Sequence, residues 1–97
     1  MRGGLSDMLT ESEIFERLWA KYGRDAQLDI LIEECSELIH AIIKERRKGI
    51  HYSHNMLEEL VDVDICVRQV MEDVKRENDG LIEIVRSNKM DRLSKMI

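Results

Sequence analysis

Two short acidic motifs stand out for the chemistry their spacing allows in this 97-residue sequence. Glu34-Cys35-Ser36-Glu37 reads E-x-x-E, and Glu59-Leu60-Val61-Asp62 reads E-x-x-D. On a helical wheel Glu34 lies about 100° and Glu37 about 160° to one side of Cys35, and Glu59 and Asp62 take the same angles from Leu60. Acids three apart on a helix are neighbours and repel one another. Their flanks, Ile30 and Ala41 for the first pair and Cys66 and Val70 for the second, are not those of a fully solvated face. A partly buried cluster of four carboxylates requires cations. Hard oxygen ligands in that number suit Mg²⁺ or Mn²⁺ better than Zn²⁺. The same residues also read as solvated acids on amphipathic helices, because the chain carries 20 Asp and Glu residues.

Other side chains have two readings each. Lys89 and Arg92 share a helix face and suit either phosphate oxygens or an ordinary basic C-terminal turn. Lys44, Arg46, Arg47 and Lys48 form a solvated helix end or help attract a polyanion. Trp19 and Tyr22 belong to a core or stack on a base. Gln27 lies on the acid-bearing side of its helix, where its amide could meet a base edge. His40, His51 and His54 have no cysteine near them at a zinc-ligand spacing. No Gly-rich phosphate loop and no Ser-His-Asp arrangement is present.

The elements that must position these residues are helices. Proline is absent and aromatic residues are 4% of the chain, which argues against an all-β fold and for helices with aliphatic stripes. Thr10 and Glu13 give a capping box, Ile14, Leu18 and Tyr22 recur every four residues, and Gly23 stops the first helix. A second helix is expected over about 25–48, with Leu28, Leu31, Ile32, Cys35, Leu38, Ile39 and Ile42 in an i, i+3, i+4, i+7 pattern. Gly49 ends it. Asn55 with Glu58 signals the N-cap of a third helix over about 56–77, its stripe centred on Leu60. Asn78, Asp79 and Gly80 break the chain before a fourth helix. In a simple hairpin the two acid pairs would be offset by roughly 10 Å, so the connecting loop must run back along the helices to bring them level.

Length and composition set the frame. One domain over 1–97 is expected, with 1–9 a flexible leader. A net charge of −5 disfavours binding to a nucleic-acid polymer. No apolar run is long enough to span a bilayer, and no secretory signal is visible. Cys35 and Cys66 sit in apolar helical patterns, which suits reduced thiols in a cytoplasm. So short a chain with so few aromatics buries a limited core alone, and a homo-oligomer is expected. The fold class is therefore all-α: a helical bundle with two long central antiparallel helices, completed by homo-oligomerisation.

The ordered motifs resemble a family. Glu33-Glu34-Cys35-Ser36-Glu37 (E-E-x-x-E), Glu59 to Asp62 about twenty residues on, and Asn88-Lys89-Met90-Asp91-Arg92 near the end are similar to the MazG-like nucleotide pyrophosphohydrolases of the all-α NTP pyrophosphatase superfamily. The resemblance spans roughly 26–93. It implies cleavage of a nucleoside triphosphate between the α and β phosphates, giving the monophosphate and pyrophosphate. It implies Glu34, Glu37, Glu59 and Asp62 as Mg²⁺ ligands and catalytic groups, and Asn88, Lys89 and Arg92 as phosphate contacts. Gln27 and Trp19 become candidates for the base, and the assembly a dimer or tetramer. Phosphoribosyl-ATP pyrophosphohydrolase has similar acid motifs, but a lysine usually stands shortly before its E-E-x-x-E segment, where this chain has Asp29-Ile30-Leu31-Ile32. A non-enzymatic helical interaction module is the remaining alternative.

Overall fold

The computed structural model describes residues 8–97, so most of the leader expected over 1–9 lies outside the described residues. The described chain is helical: α1 (Glu11–Lys48), α2 (His54–Glu77) and α3 (Leu81–Ser94). None of these helices is long and apolar enough to cross a membrane.

Thr10 starts α1 with the expected capping box. Its Oγ1 accepts from the Glu13 N–H at 3.1 Å, and its own N–H donates to the Glu13 carboxylate at 3.1 Å. At Gly23 the backbone takes φ 86° and ψ 170°, which a residue without Cβ adopts at least cost. The chain folds back there. Glu11 reaches Arg68 at 3.7 Å and the Ser12 hydroxyl reaches Glu72 at 3.4 Å, while Arg24 bridges Asp73 (3.1 Å) and Glu77 (2.5 Å). The first leg of α1 and the start of the second thus lie against the C-terminal half of α2. Gly23 ends one helical leg and begins another, as the spacing predicts, and the chain reverses there without an intervening loop.

The longer leg of α1 runs antiparallel to α2. Gln27 meets Gln69, and at the other end Glu45 meets Ser53. Gly49, at φ 68°, closes α1 with its N–H on Arg46. The cap of α2 differs from expectation. Ser53, not Asn55, stands at the N-cap and accepts from the Met56 N–H at 3.2 Å. Glu45 accounts for the choice. Its buried carboxylate accepts the Ser53 N–H at 3.0 Å and the Ser53 hydroxyl. This hook draws the loop back along α1. From Glu45 to Glu37 is about 12 Å and from Ser53 to Glu59 about 9 Å, so the acid pairs come nearly level.

The inner faces of the hairpin are unusually polar. Among the described residues the buried side chains are Phe15 and Ala41, together with Gln27, Glu45 and Gln69. The stripes read as core divide: Leu28, Leu31, Cys35 and Leu38 on α1 and Met56, Val63, Val67, Val70 and Val74 on α2 are half-buried, while the outer edge of each stripe meets solvent. Leu60, taken as the stripe centre of its helix, is 45% exposed, and Ile32 and Ile39 are 68% and 57% exposed. Asp64 lies on that outward side and pairs with Arg68 at 3.1 Å. The radius of gyration is 17.1 Å, against about 12–13 Å for a compact domain of this length.

Candidate metal centre

Opposed faces of α1 and α2 bring three carboxylates together. One oxygen each from Glu34, Glu59 and Asp62 lies within 4.8 Å of the others. Asp62 is exposed, while Glu34 and Glu59 are partly buried. One oxygen of Glu34 and one of Glu59 are buried with no hydrogen-bond partner. Glu37, the fourth acid, is within hydrogen-bonding reach of Glu59.

The electrostatics follow from that crowding. Burial pushes the Glu34 carboxyl above the ordinary carboxylate range, and the charges of Glu37, Asp62, Glu59 and Glu33 push it the same way. Burial also raises Glu59, with Glu37 its strongest charged neighbour. No cation of the chain is paired with any of the four acids in the described ion pairs. Four anionic groups, two with orphaned buried oxygens, form a donor set of the hard, oxygen-only kind that Mg²⁺ or Mn²⁺ takes. Mg²⁺ needs few protein ligands and keeps waters, which fits a cluster with one exposed side.

A cleft of about 730 Å³ opens beside the acids, a size common for small-molecule sites. Glu37 and Glu59 line one part of it, with His40, Ala41, Ile43, Lys44, Arg47 and Asn55. Sequence reasoning did not assign His40 or Asn55 to this site. The available signal was helical spacing: His40, Lys44 and Arg47 follow Glu37 at i+3, i+7 and i+10 on one face of α1. Asn55 is free to line the cleft because Ser53 takes the capping role.

The remaining candidates lie elsewhere in the chain. Lys89 lines a separate, largely apolar groove with Met71, Val74 and Val85. Asn88 and Arg92 are exposed on the same helix, α3, and neither lines the carboxylate cleft. Gln27 is 5% exposed, with its Oε1 accepting from Gln69 Nε2 at 2.6 Å, and its own Nε2 is buried without a partner. Trp19 is half-buried in the first leg of α1 and does not line the cleft. Burial raises the Cys66 thiol, the charge of Glu34 adding to it, which keeps the thiol protonated and unsuited to nucleophilic attack. Within one chain, therefore, the four acids converge, and the C-terminal basic group and Gln27 do not join them. Comparison with family models, with curated proteins and with solved structures finds no match to this chain.

Proposed function

We propose that this chain is a divalent-cation-dependent nucleoside triphosphate pyrophosphohydrolase of the MazG-like kind, working as a homo-oligomer. The observation that carries the proposal is the convergence of Glu34, Glu59 and Asp62, with Glu37 beside them, around orphaned buried carboxylate oxygens. Such a cluster repels itself unless a cation joins it.

Glu34, Glu59 and Asp62 would hold the ion, with Glu37 completing the set from the cleft side. When bound, Mg²⁺ would supply charge neutralisation for the phosphates and a lowered pKa for a water. The protein's own part is positioning and proton handling, which is most of what phosphoryl transfer needs. Water oxygen bonds to the α phosphorus, the bond to the α–β bridging oxygen breaks, and pyrophosphate leaves. The proton released by the water would pass to a carboxylate oxygen left free of the ion, with Glu37 and Glu34 the candidates.

The same reading accounts for the exposed apolar residues Ile32, Ile39 and Leu60. The chain exposes 8023 Å², against about 5,800 Å² for a compact monomer of 11.4 kDa. The excess is of the size an obligate homodimer interface covers. A second copy packed on Ile32, Ile39 and Leu60 would complete a bundle and leave the cleft on the acid-bearing side open to substrate.

Product analysis tests the function. Ribo- and deoxyribonucleoside triphosphates incubated with the protein and Mg²⁺ should give the monophosphate and pyrophosphate. Release of orthophosphate and the diphosphate would put the cut at the terminal bond and contradict the proposal. Phosphoribosyl-ATP belongs in the same panel, because its hydrolysis alone would favour the related enzyme.

A further inference from the structure

The carboxylate cleft has two ends of opposite charge, and the basic end has no ion-pair partner among the described residues. Glu37 and Glu59 stand at one end. Lys44 and Arg47, with His40 between them and the acids, line the rest of the same cleft. At 1.5 Å per residue, Lys44 lies about 10 Å and Arg47 about 15 Å along α1 from Glu37. Among the described residues nine of fourteen Lys and Arg side chains pair with no carboxylate, and of these Lys44 and Arg47 are the two that line this cleft. The acid nearest to them in sequence, Glu45, is buried and turned to Ser53. The facing wall is the start of α2, which has no acidic residue in its first turn and presents Asn55.

We infer that Lys44 and Arg47 hold the β and γ phosphates of the substrate, with His40 and Asn55 beside them, so that the cleft selects a polyphosphate chain of at least three phosphates. The inference rests on the reading of the site as a nucleotide pyrophosphohydrolase. It fixes the direction in which substrate lies: the α phosphate at the carboxylates, the leaving pyrophosphate toward the end of α1. Lys supplies a mobile point charge and Arg a planar fork, the two modes of phosphate recognition. Lys89 and Arg92, which line no part of this cleft, are not required for this contact within one chain.

Binding of inorganic tripolyphosphate, pyrophosphate and orthophosphate by calorimetry, each with saturating Mg²⁺, tests the inference. Wild type is compared with Lys44→Gln/Arg47→Gln and with the charge-matched control Arg46→Gln/Lys95→Gln. The expected result is tripolyphosphate bound more tightly than the shorter anions, weakened about tenfold or more in Lys44→Gln/Arg47→Gln and within about twofold of wild type in the control. Equal binding by wild type and Lys44→Gln/Arg47→Gln would overturn the inference and leave the pyrophosphohydrolase reading standing. Equal weakening in both variants would overturn it as well, showing general electrostatic attraction. No Mg²⁺-dependent binding of any phosphate by wild type would remove the enzymatic reading and the inference together. Thermal midpoints of the variants in buffer alone identify any loss that comes from unfolding.

Discussion

A carboxylate oxygen of Glu34 on α1 and one of Glu59 on α2 lie within 4.8 Å of each other, and each residue keeps a buried oxygen without a hydrogen-bond partner. Two acids so placed destabilise the fold that holds them unless a cation or a proton intervenes.

The pH dependence of the metal-free protein follows from this pair. The Glu34 and Glu59 carboxyls are raised in the folded state, so between the unfolded value of about 4.3 and the raised folded values the native state binds more protons than the unfolded one. Their contribution to stability is therefore lost as pH rises through that window. Without metal, wild type should lose melting temperature on going from the unfolded carboxylate pKa toward neutral pH more steeply than Glu34→Gln. Thermal melts across that range check it; parallel curves for the two proteins would go against it.

Glu45 has the opposite sign. Hydrogen bonds from Ser53 hold its carboxyl below the ordinary range, the hydroxyl contributing most. Its stabilisation is present above about pH 4.3 and is lost as pH falls through the lowered folded value. Glu45→Gln should flatten the acid limb of the stability curve. Ser53→Ala removes the α2 cap as well as a donor to Glu45, and should cost about 1–2 kcal/mol in denaturant titrations at pH 7.

The Gln27–Gln69 pair separates a structural role from a role in base recognition. Gln69→Ala leaves the buried Gln27 amide without its remaining partner and should cost about 1–3 kcal/mol. The double replacement Gln27→Leu/Gln69→Leu should be closer to neutral, because both polar groups go together. If nucleotide KM shifts with Gln27→Leu/Gln69→Leu while stability does not, Gln27 serves the ligand.

The outward stripe gives a prediction for assembly. Ile39→Asp places a charge where 57% of the residue already meets solvent in the single chain, so it should barely disturb the isolated fold. In the assembly it would bury that charge, at a cost of several kcal/mol. Sedimentation should show wild type as an oligomer and Ile39→Asp as a smaller species with a lower melting temperature.

Local signals were the legible part of this fold. The Thr10–Glu13 capping box and the stops at Gly23 and Gly49 depend on neighbours within a few residues, and each lies where the spacing places it. The start of α2 was less legible, because Ser53 prevails over Asn55 through Glu45, eight residues away and buried by tertiary packing. The wheel angles of the four acids anticipate that they share a side, but the register that levels them comes from that same Glu45 hook. Leu60 itself is exposed while Val63, Val67 and Val70 of the same stripe are half-buried, because apolar periodicity marks a face to be covered without saying whether the cover lies in the same chain. Lys44 and Arg47 read equally as a helix end matched to its dipole, and only the cleft distinguishes the two roles.

The most direct test of the carboxylate cluster is the melting temperature as a function of Mg²⁺ concentration, for wild type and for Glu34→Gln/Glu59→Gln. A specific site stabilises by mass action, about 2.7 kcal/mol at a hundredfold excess over Kd, which in a domain of this size is a rise on the order of 10 °C. The expected result is that rise in wild type, saturating with Mg²⁺, and its loss in the double variant, which melts higher than metal-free wild type at neutral pH. Equal Mg²⁺ responses in the two proteins, or none in wild type, would contradict the assignment of Glu34 and Glu59 to a divalent-cation site.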